Sequence, residues 1–247
     1  MSKKRIKRFA PIVPGIFTMG NMFSGFVSIL HSTAGKTISG AWLIILGAVF
    51  DLLDGKIARM TRTTSEIGVQ LDSFSDFLTF GVAPGVLLFS INVYSFKNWS
   101  FLVPLLYLIA GAFRLARYNV SADPHSKSDF QGLPIPLAAV FIASFVIFST
   151  DIWGEVRFTN LFTPAVVLLS WLMVSNVKYS ATFPFPSGKN IVIKVVIFII
   201  IVGAVLIKPG WFLFPFVTLY ILRGFIQETF WVTRKMNEEE RQDEVCD

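Results

Sequence analysis

Long apolar runs constrain the fold of this chain more than any other feature of its sequence. Each run is 17 to 23 residues long, and a helix needs about 20 residues to cross the hydrocarbon core of a bilayer. Only 15% of the residues are charged, against about 25% in soluble domains. We therefore predict an all-α integral membrane protein, a helical bundle of about eight transmembrane helices, or six or seven if a short run does not cross. The predicted spans are residues 15–31, 38–60, 69–91, 100–117, 133–149, 161–177, 191–207 and 211–232.

The charges outside these runs predict how the chain is oriented. Residues 1–14 are expected to form a basic interfacial segment, residues 15–232 the transmembrane domain, and residues 233–247 a polar cytoplasmic tail. With the N-terminus in the cytoplasm, the loops on the far side hold only four of the 22 lysines and arginines: Lys36, Lys97, Arg157 and Lys208. Cytoplasmic loops are usually the basic ones, so this orientation is favoured. The net charge of +6 indicates contact with anionic lipid and not with nucleic acid.

Four aspartates lie within or at the edge of these apolar runs, at Asp51, Asp54, Asp72 and Asp76. A carboxylate at membrane depth costs several kcal/mol unless it is paired or binds a cation, so such residues are functional by default. Residues three or four apart share a helix face, and the short segment between the two helices makes them antiparallel neighbours whose acidic faces can meet. Four carboxylates in one confined site need cations. Oxygen ligands without His or Cys favour Mg²⁺, Mn²⁺ or Ca²⁺ over zinc.

Small residues and one arginine lie beside the acids. Gly55, Ala58 and Gly68 remove bulk from the same helix faces, which permits either close packing or room for a ligand. Arg59 carries a permanent charge suited to phosphate oxygens. Acids, metal, arginine and space together favour a diphosphate substrate. The alternative is that these polar groups only satisfy one another between packed helices.

The two acidic stretches also carry a resemblance. "DLLDGKIAR" at 51–59 is followed after eight residues by "GVQLDSFSD" at 68–76. In this arrangement the chain resembles the CDP-alcohol phosphotransferase family, and the likeness extends upstream to "TMGNMFSG" at 18–25. The resemblance implies an integral membrane enzyme, usually a homodimer, that moves a phosphoalcohol group from a CDP-linked donor to an acceptor hydroxyl and releases CMP.

The resemblance and the chemistry of the motif together assign expected roles. Two divalent ions, Mg²⁺ or Mn²⁺, are expected to be held by the four aspartates, with Asp51 and Asp72 bridging both ions. The family likeness points to Asp76 as general base, but a metal-bound carboxylate is a weaker base, so its two roles are left open. The alternative for Asn21 is a hydrogen bond that only holds two packed helices together. The residues expected to bind the CDP diphosphate or nucleotide are Asn21, Gly55, Ala58, Arg59 and Gly68.

Two further stretches bear on the acceptor. "FRLARYN" at 113–119 and "FQGLPIP" at 130–136 resemble the bacterial and archaeal branch of the family that uses CDP-diacylglycerol as donor and L-serine as acceptor. This implies a protein of the bacterial or archaeal cell membrane whose site faces the cytoplasm. Arg114 or Arg117 is expected to bind the serine carboxylate, with Arg114 preferred. For Arg117 the alternative is a charge that only marks the cytoplasmic end of its helix.

Other functions stay open at this point. Glycerol 3-phosphate or an inositol phosphate could replace serine as acceptor, although a phosphorylated acceptor should require further cations near the site. A membrane prenyltransferase usually needs a second acidic cluster, and a cation transporter often shows internal repeats. Neither feature is visible in the sequence.

Overall fold

Helices supply all the regular structure in the parts of the chain that the computed structural model describes, which are residues 12–61, 66–92, 101–121, 132–175, 203 and 207–224. The predicted all-α class is confirmed for these parts, which contain no strand. The helices are α1 (Ile12–Thr33), α2 (Thr37–Thr61), α3 (Glu66–Asp76), a π-helical segment (Phe77–Val82), α4 (Ala83–Asn92), α5 (Leu102–Ser121), α6 (Ile135–Trp153) and α7 (Thr159–Val174). A further helix, α8, covers 209–224.

The predicted spans correspond to these helices. Among the residues described, three helical stretches are long and apolar enough to cross a membrane: Thr37–Ile57, Ile67–Ile91 and Ile135–Trp153. The first six predicted spans coincide with α1 to α7, the third covering α3, the π-helical segment and α4. The span at 191–207 lies almost entirely outside the described residues, as do residues 1–11 of the basic segment and the tail at 233–247. The count of eight membrane helices therefore stays a prediction.

Helix α1 is polar on its buried face and apolar on its exposed face. Every third or fourth residue on one face is polar and buried, and large apolar residues at the same spacing are exposed on the other. Buried small side chains let α1 approach α2 closely, and the Ser28 hydroxyl donates to the C=O of Gly40 at 2.8 Å. Small polar residues between helices and large apolar ones facing outward are typical of helices packed in lipid. The buried set is Thr18, Asn21, Ser24, Ser28 and Ser32, and the exposed set is Ile16, Met19, Phe23, Phe26 and Leu30.

The third span changes its hydrogen-bond pattern directly after Asp76, where Phe77–Val82 becomes π-helical. Pro84 follows and has no N–H, so the C=O of Phe80 lacks its usual helical donor. The hydroxyl of Tyr107 on α5 donates to that C=O at 2.7 Å, and Tyr107 is completely buried. Single π-helical turns are frequent at functional sites. Here the turn fixes α5 beside the end of α3.

Helix α6 is the most buried of the described helices and packs against its neighbours through aromatic rings. The rings of Phe145 and Phe162 stack with centroids 3.7 Å apart, and Phe214 of α8 meets Phe145 edge-on at 5.5 Å. The Phe-rich run of α6 is therefore a packing surface, and it joins α6, α7 and α8 in one unit.

The two ends of the bundle differ in chemistry. The start of α2, the end of α6 and the residues around Lys208 together line a cavity of about 430 Å³, with Trp42, Asp151 and Trp211 in its wall. Asp51 lies 13 residues beyond Ile38 of that cavity, about 20 Å further along α2. The start of α2, the end of α6 and the chain around Lys208 thus meet at one end of the described bundle, and the aspartates lie toward the other.

Candidate active site

Three of the four predicted aspartates converge. Asp51 of α2 and Asp72 and Asp76 of α3 each offer one carboxylate oxygen, and these three oxygens lie within 4.8 Å of one another. Asp72 and Asp76 are four residues apart on α3, so they project from one face toward α2. Oxygens bound to one small divalent cation are up to about 4–5 Å apart, so this group fits a cation of the Mg²⁺ or Ca²⁺ type after only small movements. All three carboxylates are partly buried, which weakens solvent screening of their charges.

Asp54 lies beside this group and not within it. Its side chain is buried, and its Oδ2 accepts a hydrogen bond from the Thr18 hydroxyl of α1. Asp54 is nevertheless close enough to interact electrostatically with Asp51 and Asp72. The structure therefore brings together three of the four predicted metal ligands and places the fourth one helical turn away, bonded to another helix.

Asn21 contacts one of the aspartates. Its side chain is completely buried, and Nδ2 donates to Oδ1 of Asp76 at 3.1 Å. The alternative of a hydrogen bond between helices is therefore the one that the structure shows. A direct contact between Asn21 and a nucleotide stays a prediction.

Several polar residues that the sequence did not single out fix α1 to α3 and to the π-helical segment. The Ser75 hydroxyl donates to the C=O of Thr18 at 3.0 Å, and the Thr79 hydroxyl donates to the C=O of Asn21 at 2.9 Å. The signal was present in the sequence, since Ser75 and Thr79 are four residues apart in an apolar run, and so share one helix face. A further missed residue is Gly47, where a Cβ would lie 3.0 Å from the Asn21 Oδ1.

One small residue of the motif, Gly55, borders open space. Gly55 and Gly68 are both exposed, and a Cβ added at Gly55 would meet no atom of the described residues within 4 Å. Ala58 and Arg59 belong to α2, but their side chains lie outside the described part of the structure. Space is therefore available beside the acids at Gly55, as a ligand would require.

Arg114 of α5 lies near the aspartates in an unusual state. It is buried, with 8% of its surface exposed, and its Nε has no hydrogen-bond acceptor among the described residues. It is close enough to Asp76 for electrostatic interaction. A buried guanidinium N–H without an acceptor is rare in proteins and indicates a missing partner, such as water or an anionic ligand.

Arg117 is used differently. Its guanidinium donates to the C=O groups of Val174 at 3.0 Å and Ser175 at 3.2 Å, so it caps the C-terminus of α7. A cation there also complements the helix dipole. Gly132 packs against the same junction with φ +82°, and a Cβ on it would lie 2.6 Å from the C=O of Met173. The "GLPIP" stretch is thus tied to the end of α7, where only glycine fits.

Comparison with known proteins agrees with this geometry. A sequence model of the CDP-alcohol phosphatidyltransferase family matches residues 11–177. The chain is 34% identical over 223 residues to the CDP-diacylglycerol–serine O-phosphatidyltransferase of Helicobacter pylori, covering 89% of this chain and 92% of that one. It is 36% identical over 181 residues to the archaetidylserine synthase of Methanothermobacter thermautotrophicus, covering 72% and 73%. It is also 34% identical over 168 residues to the CDP-diacylglycerol–serine O-phosphatidyltransferase of Bacillus subtilis, covering 68% and 89%. The chain belongs to the CDP-alcohol phosphatidyltransferase family, as its motif predicted.

Proposed function

We propose that this chain transfers the phosphatidyl group of CDP-diacylglycerol to the hydroxyl of L-serine, giving phosphatidylserine and CMP. The observation that carries the proposal is the convergence of Asp51, Asp72 and Asp76 in a chain of this family. The names of the relatives from Helicobacter pylori and Bacillus subtilis support serine as the acceptor.

The aspartates would hold the divalent ions that this family uses. Asp51, Asp72 and Asp76 would share one cation, because their oxygens lie within 4.8 Å of one another, and Asp54 would complete a second site through Oδ1 while Oδ2 stays bonded to Thr18. Bound Mg²⁺ or Mn²⁺ supplies positive charge that neutralises the donor diphosphate and the leaving CMP. We propose two ions, as the sequence motif predicts.

The reaction exchanges one phosphorus–oxygen bond for another. The serine hydroxyl oxygen attacks the phosphorus that carries the diacylglycerol, and the bond from that phosphorus to the CMP oxygen breaks. The hydroxyl proton must leave during the attack. Asp76 is the proposed acceptor for this proton, because it lies at the end of α3 beside the other acids and near Arg114.

Arg114 is the proposed ligand of the serine carboxylate. Its buried Nε lacks an acceptor, and an anionic substrate group would provide one. Arg117 already donates hydrogen bonds to the C=O groups at the end of α7. We therefore propose that Arg117 holds α5 and α7 together beside the serine site and is not the main ligand of serine. This assignment keeps the predicted preference for Arg114.

The nucleotide half of the donor is proposed to lie along α2 and the start of α3. Gly55 borders open space there, and Ala58 and Gly68 are the other small residues of the motif. Arg59 is proposed to bind the diphosphate. Asn21 is proposed to act on the same site through its hydrogen bond to Asp76. The acyl chains of the donor would stay in the bilayer, and the site would open to the cytoplasm. The active form of the enzyme would be a homodimer.

A labelled-acceptor assay tests the proposal. Purified protein is incubated with CDP-diacylglycerol, Mn²⁺ or Mg²⁺, and either radiolabelled serine or radiolabelled glycerol 3-phosphate. We expect labelled phosphatidylserine and an equal amount of CMP, with both lost in EDTA. If only glycerol 3-phosphate gives labelled lipid, then glycerol 3-phosphate and not serine is the acceptor. Metal uptake into vesicles without CMP release would favour the transporter class.

A further inference from the structure

One turn of α1 contacts acids from two other helices. Thr18 and Asn21 are three residues apart, so their side chains share a face. The Thr18 hydroxyl donates to Asp54 of α2, and the Asn21 amide donates to Asp76 of α3 at 3.1 Å. Helix α1 contributes no carboxylate to the site, yet it provides a donor to an acid on each helix of the motif.

The backbone of the same turn is bonded to α3 and to the π-helical segment that follows it. The C=O of Thr18 accepts the Ser75 hydroxyl at 3.0 Å, and the C=O of Asn21 accepts the Thr79 hydroxyl at 2.9 Å. Two side-chain donors and two backbone acceptors therefore connect this turn to its neighbours. Because these four bonds reach α2, α3 and the π-helical segment, the turn has little freedom to slide or rotate relative to its neighbours.

The orientation of the Asn21 amide follows from its surroundings. Its Oδ1 is buried, has no donor among the described residues, and lies against Gly47, where a Cβ would be 3.0 Å away. A flipped amide would place this oxygen against the carboxylate oxygen of Asp76, and two acceptors repel each other. The amide N–H is therefore held toward Asp76.

Both residues are buried and bonded to aspartates. Thr18 is 4% exposed and Asn21 is 0% exposed, and their side chains donate to Asp54 and Asp76. These two hydrogen bonds give Thr18 and Asn21 a route to affect metal binding through the aspartates. Partners of this kind set the rotamer of a metal ligand and affect metal affinity nearly as much as the ligands do.

We propose that Thr18 and Asn21 are positioning residues that hold the carboxylates of Asp54 and Asp76 in the orientation needed for divalent metal. This rests on the metal site of the proposed function. Asn21 keeps Asp76 directed at Asp51 and Asp72. Thr18 binds Oδ2 of Asp54 and so fixes the direction of Oδ1, the oxygen that would bind metal.

Metal binding without substrate tests the inference. Mn²⁺ binding to purified protein is measured by electron paramagnetic resonance for wild type, Thr18→Val, Asn21→Ala and the conservative Thr18→Ser. We expect Thr18→Val and Asn21→Ala to bind Mn²⁺ about 10- to 100-fold more weakly, since loss of such a partner has effects of this size. Thr18→Ser, which keeps the hydroxyl, should bind close to wild type.

Matched controls come from the same face of α1. Ser24 and Ser28 are also buried and donate to backbone C=O groups, at 2.8 Å each, but contact no aspartate. Ser24→Ala and Ser28→Ala should leave Mn²⁺ affinity unchanged. Thr18→Val preserves the side-chain shape, so it tests the inference even if Asn21→Ala impairs folding.

Each outcome has one meaning. Wild-type affinity in both Thr18→Val and Asn21→Ala overturns this inference and leaves the proposed function intact. Equal loss in the Ser24 and Ser28 controls also overturns it, because the effect would then be general packing. A wild-type protein that makes phosphatidylserine but binds no Mn²⁺ overturns the metal site together with this inference.

Discussion

Replacing Asp72 with asparagine should change the stability of the protein in opposite directions with and without metal. Oxygens of the three acids lie within 4.8 Å of one another. Coulomb's law gives about 3.5 kcal/mol of repulsion per ionised pair at that distance and an effective dielectric constant of about 20. Asp72 takes part in two such pairs. Solvent screening of these partly exposed groups reduces the sum, so we expect Asp72→Asn to stabilise the metal-free protein by about 1–3 kcal/mol.

Bound metal should reverse this order. A ligand present at 1,000 times its dissociation constant stabilises the native state by about 4.1 kcal/mol, which exceeds the advantage of Asp72→Asn without metal. Wild-type protein should gain this stabilisation from Mn²⁺, and Asp72→Asn should lose most of it because one ligand is gone. In chains of about 150–250 residues, each kcal/mol moves the melting temperature by about 2–4 °C. Asp72→Asn should therefore melt several degrees above wild type in EDTA and below it in saturating Mn²⁺.

Thermal unfolding followed by tryptophan fluorescence in detergent measures both effects. Asp151→Asn is the matched control, because this exposed aspartate lies near the opposite end of the bundle, in the wall of the cavity with Lys208. It should show the wild-type response to Mn²⁺ and wild-type activity, whereas Asp72→Asn should be inactive. An Asp72→Asn protein with the same Mn²⁺-dependent stabilisation as wild type would refute the reasoning.

Three further substitutions test other parts of the structure. Tyr107→Phe leaves the C=O of Phe80 without its donor, so unfolding should become easier by about 1–3 kcal/mol, measured as a lower melting temperature. Gly55→Leu fills the open space beside the acids, so CDP should no longer protect the protein against heat, while Mn²⁺ binding persists. Gly132→Ala combines an unfavourable φ of +82° with a clash at Met173, so it should destabilise by more than the roughly 1–3 kcal/mol of backbone strain alone.

For each of these three substitutions, one result would contradict the prediction. Wild-type stability of Tyr107→Phe would mean that the Phe80 carbonyl is satisfied in another way. Retained protection by CDP in Gly55→Leu would place the nucleotide elsewhere. For Gly132→Ala the matched control is Gly154→Ala, because Gly154 has φ +75° but no atom near its added Cβ. Equal effects of the two alanines would show that the contact with α7 contributes nothing.

The central part of the site was predictable because helical periodicity determines which side chains share a face. Asp72 and Asp76 had to project together, and a short connection had to bring Asp51 near them. The place of Asp54 was not predictable in the same way. Its bond to Thr18 depends on how α1 is rotated against α2, and that rotation is set by close contacts such as Ser28 with Gly40.

The different contacts of the two arginines were also not predictable from the sequence. Arg114 and Arg117 are three residues apart, and the sequence offered both as partners for a carboxylate, with Arg114 preferred. What separates them is the end of α7, whose C=O groups bind Arg117, and no local pattern predicts that a helix ends beside Arg117 57 residues later in the chain. The π-helical segment is a further case, since Pro84 predicts a break in hydrogen bonding but not that Tyr107 compensates it.

The most direct test of the account is to locate the metal. Crystals of the protein grown with Mn²⁺ and CDP would show anomalous scattering from the bound ion. The account predicts a peak about 2.1 Å from carboxylate oxygens of Asp51, Asp72 and Asp76, as expected for a small divalent cation, with the CDP diphosphate bound to the same ion. Bound CDP with these three side chains pointing apart, or with the manganese elsewhere, would contradict it.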